Sequence, residues 1–174
     1  MVSFNNTEIA FRSKSNIKLK KAYFLFKVMA KPALASIGGK LSKIAFALHL
    51  PIGGIIRNTV FEQFCGGESI EQCAVKIKEL SDSNIKTILD YSVEGKNSEK
   101  DFNRTMKQTL ASLDFASKNK NIPFAVFKIT GLARFELLEK INFGKELSET
   151  EQQEYDRAFH RINKICKKAA QYKI

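Results

Sequence analysis

The 174-residue sequence has no apolar run near the length needed to span a bilayer, so a membrane-crossing helix is not expected. Its first residues, Met-Val-Ser-Phe-Asn-Asn, lack the basic-then-apolar pattern of a secretory signal. Cysteine is scarce and odd in number: Cys65, Cys73 and Cys166 have no metal-like spacing. Reduced thiols in a cytosolic protein, and no metal site, are the expectation. Histidine is scarcer still. His49 and His160 lie far apart on helix-like segments and read as ordinary helix residues rather than ligands. The doublets Gly53-Gly54 and Gly66-Gly67 lack the Gly-x-x-x-x-Gly-Lys pattern, which excludes a phosphate loop of that kind. No serine or cysteine sits in a nucleophile-elbow pattern. Zinc-finger and RNP-like motifs, internal repeats and low-complexity linkers are also missing.

What is present is a globular composition, 44% hydrophobic and 27% charged, in a chain long enough for one ordinary domain with a sizeable core. The net charge is +11, which suits nucleic acid, an anionic membrane or an anionic ligand. The lysines are spread along the chain without aromatic interleaving, as on a solvated surface. Only the first sixty residues carry a denser positive excess.

Residues 1–15 read as an irregular lead-in with Asn5, Asn6, Ser13 and Ser15 as turn formers. From Ile17 to Lys31 a helix is predicted, with Leu19, Ala22, Tyr23, Phe26, Met29 and Ala30 as its apolar stripe. Lys18, Lys20, Lys21, Lys27 and Lys31 surround that stripe. Such a basic amphipathic helix either lies on a membrane surface or docks on its own domain. Helical segments follow over 33–48 and 54–64, separated by Pro51 and the first glycine doublet. Ser69-Ile-Glu-Gln72 is a capping-box pattern opening a helix to Leu80, with Ile70, Cys73, Ala74, Ile77 and Leu80 on one face.

The character then changes. Ile85 to Val93 is strand-like, and Ser98 caps a helix to about Lys118 with Phe102, Met106, Thr109, Leu113 and Ala116 on one face. Ile122 to Leu132 is a second apolar, β-branched and aromatic run. A short helical piece covers 135–141, and Ser148 caps a last helix over 149–170 with Tyr155, Phe159, Ile162, Cys166 and Ala169 as its core face. Two regions result: a helical region over 1–82 and an alternating β-α-β-α region over 83–174. That alternation argues for a parallel sheet whose strands are buried on both faces. The last residues stop where a further strand is expected, so an incomplete α/β unit is anticipated.

In parallel α/β barrels, functional groups cluster at the carboxyl ends of strands. The first strand ends in Asp90 and Glu94, the second in Lys128 and Thr130. Adjacent strands would bring a carboxylate and an ammonium to one rim. Lys128 within Phe127-Lys-Ile129 is costly to bury alone, so it either reaches solvent or faces an anion.

Three stretches carry a family resemblance: Phe64-Cys-Gly-Gly-Glu-Ser-Ile-Glu71, Leu89-Asp-Tyr-Ser-Val-Glu94 and Phe127-Lys-Ile-Thr-Gly-Leu132. With Asn6-Thr-Glu-Ile-Ala-Phe11 and Ala22-Tyr-Phe-Leu-Phe26, they resemble the N-terminal portion of bacterial monofunctional proline dehydrogenase across essentially the whole chain. The resemblance implies a distorted (β/α)8 barrel preceded by helices. It implies FAD as cofactor, L-proline oxidised to pyrroline-5-carboxylate, and a membrane quinone as electron acceptor. Lys128 matches the family's second-strand lysine, which pairs with the substrate carboxylate. Glu94 matches a glutamate that forms an ion-pair gate with an arginine late in the barrel, while Asp90 matches an acidic residue of unspecified role.

The family's later aspartate, tyrosine and paired arginines, and most flavin contacts, have no counterpart in this sequence. The expectation is therefore a fragment cut before the third strand and inactive alone. It would be cytoplasmic, with the basic N-terminal helices able to touch the inner face of the cell membrane, and would not bind nucleic acid. The competing class is a basic helical module that binds nucleic acid or an anionic membrane surface. Its affinity would fall steeply with salt.

Overall fold

The computed structural model describes residues 5–91 and 97–174. Two compact units divide the chain, Met1–Lys76 and Ile77–Ile174.

The first unit is helical among its described residues. Asn6, expected as a turn former, instead caps a short helix α1 (Thr7–Phe11) by accepting the Ile9 N–H at 3.0 Å. Ser15 does the same for α2 (Asn16–Met29) through Lys18. Short polar side chains in extended backbone satisfy the open N–H groups of a first turn, which is why both readings fit the same residues. Pro32 occupies the first turn of α3 (Pro32–Ala47), where its missing N–H costs nothing. Three pieces then run on without a break: α4 (Gly53–Ile56), a π-helical turn over Arg57–Phe61, and α5 (Glu62–Phe64).

On α2 the partly covered residues are Leu19, Ala22, Leu25 and Val28, whereas Tyr23, Phe26 and Met29 of the anticipated stripe are exposed. The helix is apolar on more than one side, so periodicity alone could not say which side is covered. The capping pattern at residue 69 holds: Ser69 Oγ accepts the Gln72 N–H at 3.3 Å. Gln72 Oε1 reaches back to accept the Glu68 N–H at 2.9 Å. The helix it opens, α6 (Ile70–Ser81), turns the expected face inward, with Ile77 fully buried and Ile70, Cys73, Ala74 and Leu80 half-buried.

The second unit contains a β-α-β arrangement. β1 (Ile88–Leu89) pairs in parallel with β2 (Phe124–Ala125), in the register Ile88 to Phe124 and Leu89 to Ala125. The Thr87 N–H extends the ladder by donating to the Asn121 carbonyl at 2.9 Å. Between the strands lies α7 (Glu99–Ala116), capped by Ser98, whose Oγ accepts the Asp101 N–H. After β2 come a 3-10 turn (Ile129–Gly131), α8 (Phe135–Asn142) and α9 (Glu149–Tyr172).

Both strands are shorter than the apolar runs that announce them. They are also far from buried on two faces: Ile88 is 54% and Phe124 64% exposed. The sheet has two strands among the described residues, too few to cover its own faces.

The core of this unit lies where α7 and α9 pack together. Leu113, Leu132 and Ile165 form its centre, flanked by Met106, Leu110, Phe127, Ile162 and Ala169. α9 corrects the sequence reading. Its buried residues are Ala158, Arg161 and Ile165, while Phe159 and Cys166 of the expected face are exposed. The cause is Arg161, a cation 3% exposed. Its Nε donates to Asn103 Oδ1 at 3.0 Å, its Nη1 to the Leu132 carbonyl at 2.8 Å, and its Nη2 to Glu99. The guanidinium lies 5.5 Å from the centre of the Phe102 ring. A guanidinium with each of its three nitrogens hydrogen-bonded and a ring face beneath it can enter a core that a lone charge could not.

The start of α9 holds a full capping box, Ser148 with Glu151. Lys140 Nζ donates to Glu151 Oε2 at 2.6 Å. This bond, followed by the Ser148 backbone N–H, holds the Glu151 carboxyl down at about 2, against an ordinary 4.5. A carboxyl depressed on folding stabilises fully above the unfolded value and loses that contribution as pH falls through the folded one. Thermal melts taken between about pH 4.5 and 2 are therefore expected to show a falling midpoint, with a shallower fall in Glu151→Gln. Equal slopes for both proteins would contradict the assignment. No helix among the described residues is long and apolar enough to cross a membrane.

Candidate functional site

The parallel pairing of β1 and β2 carries their chain ends to one rim. Asp90 follows β1 directly, and Lys128 lies three residues past β2 in extended backbone, at the entry to the 3-10 turn. Their side chains meet, Lys128 Nζ to Asp90 Oδ2, at 3.9 Å. The two side chains are 42% and 39% exposed, respectively. At that distance and exposure the pair is a weak one, on the order of 0–1 kcal/mol.

Thr130 sits within the 3-10 turn, and Leu132 closes the segment as part of the core. The rim is thus anchored from below by Leu132 packing and by the Arg161 bond to the Leu132 carbonyl. This support is absent from any local pattern, because Arg161 lies 29 residues further along the chain. Glu94, the other expected acid, lies outside the described residues. Of the four residues expected at the strand ends, the structure brings together Asp90 and Lys128, with Thr130 in the adjoining 3-10 turn.

The rim is an open surface. Cavities of about 330–440 Å³ occur elsewhere, against His160 and Lys164 of α9, beside Arg134 and Phe143, and over Glu99 and Arg161. A further one lies in the first unit. None of these is lined by Asp90 or Lys128. A flavin-sized ring system needs a cleft that covers most of its surface. The described residues do not form one at this rim, so they do not by themselves fit FAD.

His49 follows α3 in left-handed backbone, with φ of 54°, and His160 is exposed on α9. Of the thiols, Cys65 and Cys166 are exposed and Cys73 is half-buried, where loss of water pushes its thiol upward.

Comparison with known proteins bears on the same segments. Over 140 residues, 79% of the chain, it is 29% identical to mitochondrial proline dehydrogenase 1 of Dictyostelium discoideum. Over 98 residues, 53% of the chain, it is 32% identical to mitochondrial proline dehydrogenase 1 of Caenorhabditis elegans. A stretch of 102 residues, 59% of the chain, is 28% identical to the carbapenem antibiotics biosynthesis protein CarD of Pectobacterium carotovorum subsp. carotovorum. These matches span 24%, 15% and 27% of the respective relatives, so the chain covers about a quarter or less of their length. No family model and no solved structure matches. Similarity to two proline dehydrogenases from different organisms makes this chain a relative of the proline dehydrogenase family.

Proposed function

We propose that the chain is the opening part of a proline dehydrogenase barrel and supplies the lysine that holds the substrate's carboxylate. The observation that carries this reading is the Asp90–Lys128 pair, set on one rim by the parallel strands. In the distorted (β/α)8 barrel proposed here, β1 and β2 are its first two strands. In this reading Lys128 Nζ takes the carboxylate of L-proline at that rim. A charge-assisted contact then fixes the orientation of the pyrrolidine ring. Glu94 belongs to the same proposal as one half of an ion-pair gate.

FAD would supply the redox chemistry of such an enzyme. The described residues form no flavin cradle, so its contacts would lie elsewhere in the polypeptide. The 174-residue chain purified alone is accordingly expected to carry far less than one FAD per chain and not to turn over proline. A flavin-to-protein ratio near one, read from visible absorbance, would contradict this. A quinone as acceptor, and contact with an anionic membrane through the lysine-rich α2 and the exposed apolar residues of α2 and α3, complete the proposal.

The test is a hybrid. The segment of the Dictyostelium discoideum proline dehydrogenase that matches this chain is replaced by this chain's own. A hybrid that loads flavin and reduces a dye when given L-proline is the expected outcome. A flavin-loaded hybrid that leaves L-proline untouched would overturn the reading.

A further inference from the structure

Two of the three thiols flank a single turn of the first unit. Cys65 follows α5 in extended backbone and is exposed. Cys73 is half-buried near the start of α6. Between them the chain passes through Gly66 and Gly67.

Both glycines lie against the first turn of α6. A Cβ on Gly67 would stand 2.8 Å from Gln72 Cβ and 2.9 Å from the Cys73 nitrogen, closer than side chains pack. A Cβ on Gly66 would stand 3.4 Å from Cys73 Sγ. Only a residue without a side chain lets the chain double back so closely at Gly67. The fold of this turn is also tied by hydrogen bonds. The Glu68 N–H donates to Gln72 Oε1 at 2.9 Å, and the Cys73 N–H to the Ser69 carbonyl at 3.1 Å.

Cys65 is the neighbour of Gly66, and adjacent Cα atoms are about 3.8 Å apart. The Cys73 sulfur, packed on Gly66, therefore lies within a one-residue step of the Cys65 backbone. Disulfides join Cα atoms about 4.4–6.8 Å apart, a span of that order. The two thiols also sense each other: after burial, the charge of Cys65 is the next influence that pushes the Cys73 thiol up.

We propose that Cys65 and Cys73 are a redox modification site, oxidised by a hydroperoxide to an intrachain disulfide that closes over the Gly66-Gly67 turn. Exposure sets the order of events. The Cys65 sulfur attacks the peroxide, the O–O bond breaks, and the thiol proton leaves with the departing hydroxide as water. Cys65 is then a sulfenic acid. The Cys73 sulfur attacks the Cys65 sulfur, the S–O bond breaks, and the Cys73 proton leaves with that hydroxide as a second water. Two thiols have lost two electrons, and one peroxide has gained them. The bridge ties the end of α5 to the start of α6, and a dithiol reopens it by exchange.

The experiment treats the full chain with hydrogen peroxide, blocks the remaining thiols and maps the peptides by mass spectrometry. The expected product is a monomeric chain with Cys65 linked to Cys73 and Cys166 outside the bridge. Equilibration with glutathione and its disulfide then measures how strongly the fold favours the bridge. The native chain should favour it roughly tenfold or more over the same chain in concentrated urea. Gly67→Ala should erase that gain, because its methyl group forces the turn away from α6. Gly54→Ala, with open space around it, should keep the gain. If Gly67→Ala does not fold, the native-to-urea ratio of the unaltered chain decides alone. Equal equilibria in the two solvents would overturn the proposal. So would dimers joined through Cys65 as the main product, or separate overoxidation of both thiols without a bridge.

Discussion

Lys128→Met in the flavin-loaded hybrid is expected to lower kcat/KM for L-proline by roughly ten- to a hundredfold. A hydrogen bond to a charged group contributes about 1.5–3 kcal/mol, and each 1.4 kcal/mol is about tenfold. Methionine keeps most of the side-chain volume, so the loss reports the charge rather than a cavity. Flavin content should stay constant, since Lys128 lies on an open rim and packs into no core. Lys128→Arg should recover part of the rate, because a guanidinium still pairs with a carboxylate but from a longer reach. An unchanged kcat/KM in Lys128→Met would remove Lys128 from the site.

Arg161→Ala should be the most damaging change to the fold of the second unit. It leaves Glu99 with Arg157 alone, at 3.1 Å, and orphans the Leu132 carbonyl and the Asn103 side chain. Breaking a buried pair by removing one partner costs about 3–5 kcal/mol. The lower end applies here, because Glu99 remains 40% exposed and water can reach it. A loss of about 3 kcal/mol is a large share of the 5–15 kcal/mol typical of whole domains. Arg161→Met should cost less, since its longer side chain still covers Phe102 and leaves a smaller cavity. Urea unfolding followed by circular dichroism reads both variants. A midpoint unmoved in Arg161→Ala would contradict the packing of α9 on α7 through this residue.

Arg161 also shows where sequence reading stops. Caps were legible because they are local: Ser69, Ser98 and Ser148 each meet a partner three residues on. The α6 face was legible because Ile70, Cys73, Ala74, Ile77 and Leu80 repeat at helical spacing, with Val75 the large apolar residue outside it. The core face of α9 was not. Phe159 and Cys166 look more apolar than Arg161, yet Arg161 is the residue buried, by partners 29, 58 and 62 residues away. No window of the sequence contains that set.

The strands teach a similar lesson. β-branched and aromatic content located both, and their parallel pairing followed from the helix between them. Their burial depends on what covers the sheet, and Ile88, Phe124 and Ile129 stay exposed in this chain. The rim itself was half legible. A carboxylate and an ammonium at neighbouring strand ends could be anticipated, but the contact of Asp90 with Lys128 required the register that sets Leu89 opposite Ala125.

The most direct measurement is a double comparison in the hybrid: L-proline against L-prolinamide, with and without Lys128→Met. Prolinamide lacks the carboxylate and keeps the ring. If Lys128 holds that carboxylate, the intact hybrid prefers proline by roughly ten- to a hundredfold in kcat/KM, and the preference collapses toward one in Lys128→Met. A preference that survives the substitution unchanged would show that another group binds the carboxylate, and the assignment of this rim would fall.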